Sequence, residues 1–373
     1  EDLEQIRAKY GEPRRTELCI NEGEINIEDL IADEPCVITL SNTGYIKRVP
    51  TDTYRQQRRG GKGVIGMATK DEDFVEHIFS ASTHDYLLCF TEEGRMYWLK
   101  AYYVPEGSRQ ARGRSLANVL QMTPDEKLAA ILCVRELDDD THNLIMATKN
   151  GIVKKTVLSA YKNVRVAGVK AINIDEDDKL LGVQLTDGTN QIILSMKNGK
   201  AIRFNETDAR PLGRVSRGVK GVTLTGDDEV VTIEVVDTES TMMAITENGY
   251  GKRTSFDEYR TQSRGGKGII SIQTTERNGK VVSAHAVTEE HRLMLISEGG
   301  QMICIGASDL RIIGRNTQGV RLFNLKDGDK LVSAAVLEPE EDAPEGEEVP
   351  AENAEATEAV ETPAEETPEE AAE

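Results

Sequence analysis

The chain has 373 residues, and its 65 acidic residues outnumber its 45 lysines and arginines, which gives a formal net charge of −20. No apolar run is long enough to span a membrane or to resemble a signal peptide. The five cysteines, Cys19, Cys36, Cys89, Cys133 and Cys304, lack metal-ligand spacing and a disulfide framework, so we expect buried, reduced thiols rather than a secreted disulfide scaffold.

The first predicted element is a helix over Glu1–Tyr10, where apolar residues recur on one face. Gly11 and Pro13 end this helix, as is usual at a helix C-terminus. Because a free helix of about ten residues is marginal in water, we interpret it as the end of a longer helix in a larger protein. Residues 1–34 are therefore taken as this helix and a linker.

Six β-hairpins are predicted next, each with a short apolar run, a polar turn and a second run of apolar and basic residues. A turn that ends in Asn-Gly or Glu-Gly between two β-rich runs is a strong hairpin signal. The first runs and their turn glycines are Cys36–Leu40 with Gly44, Tyr86–Phe90 with Gly94, Leu144–Ala147 with Gly151, Ile192–Ser195 with Gly199, Met242–Ile245 with Gly249, and Leu293–Ile296 with Gly300. Successive glycines lie 50, 57, 48, 50 and 51 positions apart, which indicates an internal repeat.

Each repeat has a second glycine 16 to 19 positions after the first, followed by a basic residue and an apolar strand. These second glycines are Gly60, Gly113, Gly168, Gly218, Gly265 and Gly319. Units of about 50 residues with several short strands and no helical half are typical of propeller blades rather than of most solenoids. The sequence therefore predicts an all-β, propeller-like disc of six blades over residues 35–337.

A basic, glycine-rich heptad stands out in the first repeat, Gln57-Arg58-Arg59-Gly60-Gly61-Lys62-Gly63. Glycine permits positive φ and close approach of another backbone, and the cationic side chains supply the charge that phosphate oxygens bind. A second copy, Gln262-Ser263-Arg264-Gly265-Gly266-Lys267-Gly268, lies in the fifth repeat and has Ser263 in place of an arginine. One copy alone could be an exposed turn with solvated charges, whereas two copies favour an anion-binding loop.

The composition changes at Glu338, and Glu338–Glu373 contains sixteen acidic residues, five prolines and neither lysine nor arginine. This composition predicts a disordered acidic tail over residues 338–373. The tail accounts for most of the negative net charge, because the six repeats carry 41 basic residues against 38 acidic ones.

Within the repeats the charges are segregated, since acids collect in connections such as Asp138–Asp140 and Asp227–Glu229 while bases follow both glycines. Equivalent positions face the same way around a disc, so the segregation predicts a basic belt along its rim. The candidate phosphate contacts are Lys47, Arg48, Gln57, Arg58, Arg59, Gly60, Gly61, Lys62, Gly63, Arg95, Arg109, Arg112, Arg114, Lys154, Lys155, Lys162, Arg165, Lys170, Lys200, Arg203, Arg214, Arg217, Lys220, Lys252, Arg253, Arg264, Lys267, Arg311, Arg315 and Arg321. The alternative is that some of these bases are surface charges paired with the acidic connections.

Such a belt suits double-stranded DNA. Bending 20–30 base pairs by 40–90° costs on the order of 1–6 kcal/mol, which distributed phosphate contacts offset. Phosphate contacts carry no sequence code, so we expect weakly sequence-selective, salt-sensitive binding. The sixth repeat has fewer bases, which predicts that DNA leaves the disc before a full turn.

No catalytic constellation is evident, because the chain lacks a Walker loop, triad spacing and a catalytic carboxylate pair. We therefore expect no catalytic residue, no metal and no cofactor in this chain. His84, His142 and His291 recur near the start of their repeats, which favours a packing role for them.

The heptad Gln57–Gly63 resembles the seven-residue box found in the A subunit of bacterial DNA gyrase. Gly44–Arg48 is similar to the first-blade strand of that family, and Gly11–Glu17 is similar to the junction that follows its breakage-reunion core and coiled coil. The resemblance covers residues 1 to about 337 and identifies a C-terminal DNA-wrapping domain, a six-bladed β-pinwheel. Residues 1–34 would then be the end of the coiled-coil helix and a linker.

The resemblance implies that the rim wraps DNA with positive handedness and so enables ATP-driven negative supercoiling. Its implied partners are duplex DNA, the breakage-reunion part of the same polypeptide and the gyrase B protein of an A2B2 holoenzyme, with no membrane. The family's catalytic tyrosine lies upstream and its ATPase lies in the other subunit, so this chain is not itself an enzyme. A cytoplasmic, nucleoid-associated location is also implied.

Two alternatives remain at this point. A topoisomerase IV subunit has a related C-terminal domain, although that family usually carries a degraded box and fewer blades. A propeller that binds acidic proteins through a basic rim would need no glycine-arginine box, and its affinity would not depend on DNA length.

Overall fold

A computed structural model describes residues 2–11, 27–41, 43–50, 75–108, 111–123, 126–163, 165, 167–299, 301–326 and 328–337. The chain divides into two units, Glu1–Pro339 and Glu340–Glu373, and the second lies outside the described residues. The first heptad, Gln57–Gly63, and the predicted contact Arg109 also lie outside them.

The chain begins with helix α1, Asp2–Tyr10, none of whose residues is buried. A 3₁₀ turn, Ile27–Leu30, precedes the first strand. The segment that includes this turn is fixed to the second repeat, because Lys100 Nζ lies 2.8 Å from Glu28 Oε1 and Thr83 Oγ1 donates to the carbonyl of Ala32 at 2.7 Å.

All six predicted hairpins are present and antiparallel. Their strands are β1 Pro35–Ser41 with β2 Tyr45–Pro50, β4 Tyr86–Thr91 with β5 Arg95–Lys100, β8 Asn143–Thr148 with β9 Ile152–Val157, β12 Gln191–Met196 with β13 Lys200–Asn205, β16 Thr241–Thr246 with β17 Tyr250–Ser255, and β20 Arg292–Ser297 with β21 Met302–Gly306. Turn glycines such as Gly151 and Gly199 have φ of +82°, the left-handed conformation that glycine adopts without steric cost.

Each repeat also contributes a longer inner strand that pairs antiparallel with the first strand of its own hairpin. These strands are β3 Val75–Ser82, β7 Leu128–Val134, β11 Leu180–Thr186, β15 Val230–Val236, β19 Val281–Val287 and β23 Leu331–Leu337. Inner strands of successive repeats are in contact from β7 to β23, and β23 also contacts β3 of the first repeat. At the seam between the first two repeats, Arg135 Nη1 after β7 donates to Ser82 Oγ of β3 at 3.1 Å. The sheets therefore form a closed ring.

A third kind of strand has two residues and crosses between repeats. These strands are β6 Arg114–Ser115, β10 Val169–Lys170, β14 Val219–Lys220, β18 Ile269–Ile270 and β22 Val320–Arg321. Each pairs with the second hairpin strand of the preceding repeat, as β10 does with β5 and β14 with β9. The first five sheets consequently have four strands, and the sixth has three among the described residues.

Short helical turns follow the hairpins and lead into the loops before the two-residue strands. They are the 3₁₀ turns Ala101–Tyr103, Leu158–Tyr161, Glu206–Asp208, Phe256–Glu258 and Ala307–Asp309, and a four-residue helix α2, Leu116–Val119, follows β6. We call the segments between the 3₁₀ turns and the two-residue strands the glycine loops; they are residues 104–113, 162–168, 209–218, 259–268 and 310–319.

The core consists of apolar clusters that each join neighbouring sheets. Leu88 and Phe90 of the second sheet, for example, pack with Leu144 and Met146 of the third. All four are fully buried, and burial of such a side chain contributes roughly 1.5–3 kcal/mol. The predicted all-β architecture of six blades is confirmed.

Two smaller predictions have different outcomes. The three recurring histidines do make local contacts near the start of their repeats, as when Thr288 N donates to His291 Nδ1 at 3.2 Å. Of the four described cysteines, none of which forms a disulfide, Cys36 and Cys89 are buried and Cys133 is partly buried. Cys304 is exposed, so the expectation of buried thiols is wrong there, because β21 lies at the outer side of its sheet.

Candidate nucleic-acid interface

The second heptad, Gln262–Gly268, shows how a glycine loop is built. Gln262 N donates to Arg203 O at 2.8 Å, and Gly265 N donates to Gly221 O at 2.6 Å, so the loop joins two neighbouring repeats. Gly268 has a φ of +68°, and a Cβ there would lie 2.6 Å from the carbonyl oxygen of Ala201. Only glycine permits this close approach to the adjacent strand.

The heptad arginine, Arg264, is turned towards the protein. Its Nε donates to Asp208 O at 2.8 Å and its Nη1 to Lys220 O at 3.0 Å, both in the preceding repeat. Arg315 occupies the same place in the sixth repeat, and its Nη1 donates to Ile270 O at 2.7 Å. Each of these arginines links its own loop to the two-residue strand of the preceding repeat. Lys267 of the second heptad, by contrast, is exposed.

The predicted contacts at the third position of the second hairpin strand are buried. Lys47 and Lys154 are 0% exposed and Lys252 is 1% exposed. Lys154 Nζ donates to the carbonyls of Ala171 and Arg214, the latter at 2.6 Å. The sequence prediction placed these lysines on the rim, but their ammonium groups bind backbone carbonyls and are not presented at the surface.

Lys47 and Lys252 make the same kind of contact with the glycine loop of the next repeat. Lys47 Nζ donates to Ser108 O at 3.2 Å, and Lys252 Nζ donates to Gly314 O at 2.7 Å and to Arg315 O. A buried ammonium group is costly unless it is hydrogen-bonded, and these carbonyls satisfy it. The three lysines therefore position the loops that carry other basic residues.

Burial also changes the protonation of these groups. It lowers the pKa of Lys154 to about 7, with a smaller effect of the neighbouring Arg214 charge, and lowers the pKa of Lys252 to about 8. The pKa of Lys47 is lowered by burial as well.

The basic residues at the fourth position of the second hairpin strand also bind backbone carbonyls of the next repeat. Arg253 Nη1 donates to Ala307 O at 2.8 Å, and Arg203 Nη1 donates to Phe256 O at 2.6 Å, so each guanidinium binds a 3₁₀ turn of the next repeat. Arg48 is used similarly, because its Nε donates to Val104 O at 3.1 Å. Lys155 is 4% exposed. We exclude these four residues and the three buried lysines from the surface available to a ligand.

Apart from Arg264, the remaining predicted bases within the described residues do reach the surface. Those on the two-residue strands are the most regular, since Arg114, Lys170, Lys220 and Arg321 are exposed at the edges of the first, second, third and fifth sheets. The fourth sheet has Ile270 at the corresponding place, opposite the half-buried Lys200. The other exposed or half-buried predicted bases are Arg95, Arg112, Lys162, Arg165, Arg214, Arg217, Lys267, Arg311 and Arg315.

Several of these bases have partners. Arg217 pairs with Asp175, and Lys162 Nζ lies 3.0 Å from Asp138 Oδ1. Arg95 Nε lies 3.3 Å from Glu126 Oε1. The alternative interpretation, in which surface bases pair with acidic connections, therefore holds for these three residues. Such exposed pairs contribute only about 0–1 kcal/mol and exchange readily for other anions.

Sequence reasoning missed one basic residue at this edge, Arg277. It lies in the connection of the fifth repeat, where the third and fourth repeats have only acids at Asp175–Asp178 and Asp227–Glu229. Its Nε lies 3.3 Å from the hydroxyl of Tyr250. The signal that could have identified it is an arginine in an otherwise acidic connection.

No group of three or more histidine, cysteine or carboxylate side chains in the described ranges is arranged to hold a metal ion. Among the same residues, no helix is both long and apolar enough to cross a membrane.

The chain matches the family model "DNA gyrase C-terminal domain, beta-propeller" in six segments. They are residues 37–82, 85–135, 142–187, 197–237, 241–288 and 291–338. Five of the segments correspond to one hairpin and the inner strand that follows it, whereas 197–237 begins after the first hairpin strand, β12.

Curated relatives are similar over most of this chain. It is 47% identical over 337 residues to the DNA gyrase A protein of Clostridium acetobutylicum, covering 90% of this chain and 40% of that protein. It is 43% identical to the DNA gyrase A protein of Salmonella typhimurium, covering 92% of this chain and 39% of that protein. The chain thus spans about two fifths of the length of these relatives.

Two solved structures are similar in fold. The C-terminal domain of DNA topoisomerase IV matches with a TM-score of 0.70 and 25% identity, covering 83% of this chain and 94% of that one. The DNA gyrase A C-terminal domain matches with a TM-score of 0.68 and 27% identity, covering 81% of this chain and 99% of that one.

Proposed function

This chain belongs to the family of DNA gyrase C-terminal β-propeller domains, and on this basis we propose that it binds double-stranded DNA and curves it along the outer edge of its sheets. The observation that supports this most directly is the recurrence of exposed cations on the two-residue strands. Lys170, Lys220 and Arg321 each lie opposite the first residue of a second hairpin strand, and Arg114 lies opposite the second residue. Arg114, Lys170, Lys220 and Arg321 occupy the two-residue strands of four sheets.

A cation that recurs once per sheet suits a stiff polyanion. Bending a duplex of 20–30 base pairs by 40–90° costs on the order of 1–6 kcal/mol. Each phosphate that a lysine or arginine neutralises releases counterions, and several such contacts along a curve offset the bending cost. Binding of this kind involves backbone contacts, so we expect little sequence preference.

The glycine loops are held in place before DNA arrives. Lys47, Lys154 and Lys252 bind loop carbonyls, so the loops lose little conformational entropy on binding. In our proposal these lysines act by positioning the exposed bases, and the exposed bases make the phosphate contacts. We also propose that the heptad Gln57–Gly63, the most cationic of the loops, contacts DNA.

For the whole protein, we propose the role that the relatives' names suggest. The chain would be the DNA-wrapping part of a gyrase A protein, with positive wrapping that allows negative supercoiling by a holoenzyme that also contains the gyrase B protein. It would act in the cytoplasm on chromosomal DNA, and cleavage and ATP hydrolysis would belong to parts of the enzyme outside this chain.

A gel-shift series with duplexes of increasing length, together with a topology assay, tests the proposal. The isolated chain is incubated with relaxed plasmid and a nicking-closing topoisomerase, and the plasmid is then deproteinised. We expect affinity to rise with duplex length and the linking number to shift towards positive values. Equal affinity for short and long duplexes, with no change in linking number, would reject wrapping and favour a propeller that binds acidic proteins.

A topoisomerase IV subunit is the second candidate, and the similarity to the solved topoisomerase IV domain supports it. The full-length protein, reconstituted with each type of ATPase partner, distinguishes the two. Gyrase introduces negative supercoils into relaxed plasmid, whereas topoisomerase IV only relaxes or decatenates it.

A further inference from the structure

We propose that Tyr250, Arg277 and Arg321 form a phosphate-binding site at the outer edge of the fifth sheet, which takes a backbone phosphate of the bound duplex. The inference rests on the proposed function and extends it, because it continues the DNA path towards the sixth repeat. The sequence had predicted that DNA leaves the disc there.

The geometry brings two guanidinium groups to one hydroxyl. Arg321 of β22 is the direct cross-strand partner of Tyr250 in β17. Its Nη2 lies 2.8 Å from the Tyr250 hydroxyl, and Arg277 Nε lies 3.3 Å from the same oxygen. The guanidinium carbons lie 5.3 Å and 4.9 Å from the centre of the tyrosine ring.

The charge of the two guanidinium groups is not neutralised by a carboxylate of the described ranges. No ion pair joins either Arg277 or Arg321 to an acidic side chain there, and the further contact of Arg321 is the neutral amide of Asn324 at 3.2 Å. Two exposed, like-charged groups that share one acceptor repel each other, and an anion between them would relieve that repulsion. This favours a negatively charged ligand over an isolated structural role.

In another sheet, the basic side chain at the corresponding edge is neutralised by a carboxylate. On the second sheet Arg95 faces Lys170, and Arg95 is paired with Glu126 of its own connection. On the fifth sheet the connection supplies Arg277 instead of an acid. The loop that carries Arg277 is fixed, because Asn248 Nδ2 donates to Arg277 O at 3.2 Å.

The chemistry of the three groups selects a phosphate. The hydroxyl oxygen accepts hydrogen bonds from both guanidiniums and holds them side by side, and because Tyr250 is only 4% exposed the guanidiniums make the phosphate contacts. The same hydrogen bonds, from Arg277 and Arg321, lower the pKa of Tyr250. A planar guanidinium binds two oxygens of one phosphate in parallel, and a phosphate has further oxygens for the second guanidinium, whereas a carboxylate has only two oxygens in all.

The test compares Arg277→Gln, Tyr250→Phe and the double variant Arg277→Gln/Arg321→Gln with the unaltered chain. Duplex affinity is measured over a series of salt concentrations. Loss of one phosphate contact reduces the slope of log K against log salt by about 0.9, so we expect about 0.9 for Arg277→Gln and about twice that for the double variant. Arg7→Gln removes an exposed arginine of helix α1, outside the repeats, and serves as the control.

A second arm uses inorganic phosphate, compared with chloride at equal ionic strength, and records the melting temperature. Phosphate should raise the melting temperature of the unaltered chain and of Arg7→Gln more than that of the double variant. If the chain binds long duplexes but Arg277→Gln has the slope of Arg7→Gln, the site is rejected and the proposed function stands. If no duplex binds yet phosphate still stabilises only chains with both arginines, the site stands and the proposed function fails.

Discussion

The ammonium group of Lys154 donates a hydrogen bond to the carbonyl oxygen of Arg214, 2.6 Å away, so a buried cation of the third sheet holds the glycine loop of the fourth repeat. The same loop carries the exposed Arg217. The bases of this protein thus divide into an inner set that positions loops and an outer set that is available to a ligand.

The inner set should contribute to stability. We expect Lys154→Ile to lower the free energy of unfolding by about 1–3 kcal/mol, because the carbonyl of Arg214 loses the lysine donor and that of Ala171 keeps only the Tyr161 hydroxyl. Isoleucine fits the site in principle, since Ile202 occupies the same position in the fourth sheet. Urea unfolding measures the loss. Lys170→Gln, at an exposed position, is the control and should change the free energy of unfolding by less than about 0.5 kcal/mol. If Lys154→Ile is as stable as the unaltered chain, the positioning role of Lys154 is contradicted.

Burial of Lys154 predicts a pH dependence of stability. Its pKa falls from 10.5 to about 7 on folding, so above about pH 7 the unfolded chain holds a proton that the folded chain releases. The free energy of unfolding should therefore rise with pH from about 7 towards 10.5, and Lys252 adds to this rise from about pH 8. Denaturant titrations at about pH 7 and pH 9 should show a smaller rise in Lys154→Met than in the unaltered chain. If the free energy of unfolding rises equally in Lys154→Met and in the unaltered chain, Lys154 is not the source of the pH dependence.

The outer set should control DNA affinity. Lys170→Gln/Lys220→Gln removes two exposed cations from successive sheets, and we expect weaker binding with a salt slope smaller by about 1.8. Melting temperature should remain unchanged, because neither ammonium group is buried. Fluorescence anisotropy over a salt series provides the measurement. A slope equal to that of the unaltered chain would mean that DNA does not follow these strands.

The first heptad should matter more for bending than for binding. Its charge density leads us to expect that Arg58→Ala/Arg59→Ala/Lys62→Ala reduces circularisation of short duplexes by a larger factor than it reduces affinity. Ligase-mediated circularisation and gel shift on the same duplex measure the two effects. If the triple variant gives the same writhe as the unaltered chain in the topology assay, the heptad has no part in wrapping.

The acidic tail should compete with DNA for the basic edge. Its sixteen carboxylates lead us to expect tighter duplex binding at low salt when Glu338–Glu373 is deleted. The gain should disappear at high salt, because charges beyond about a Debye length are screened. Equal affinity with and without the tail at low salt would end this idea.

The sequence by itself determined the hairpins and their number. A hairpin depends on local signals, namely a turn glycine such as Gly199 between two β-rich runs, and these signals recur at a nearly constant spacing. The spacing predicted six blades, and the repeated bases predicted a basic edge. Tyr97 and Ile202, which replace lysine at the third strand position in two repeats, also hinted that this position is buried.

Only the tertiary structure decided which strand joins which sheet and which cations face inward. The two-residue strands pair with the preceding repeat, as Val219 does with Val153, and no local signal encodes a partner more than 60 positions away. The direction of Lys154 depends on that exchange. Its ammonium group donates to Ala171 O of its own repeat and to Arg214 O, and Arg214 reaches it only when the next repeat packs against its strand. A charged side chain looks exposed in a sequence, and its burial becomes favourable only when distant backbone oxygens are brought to it.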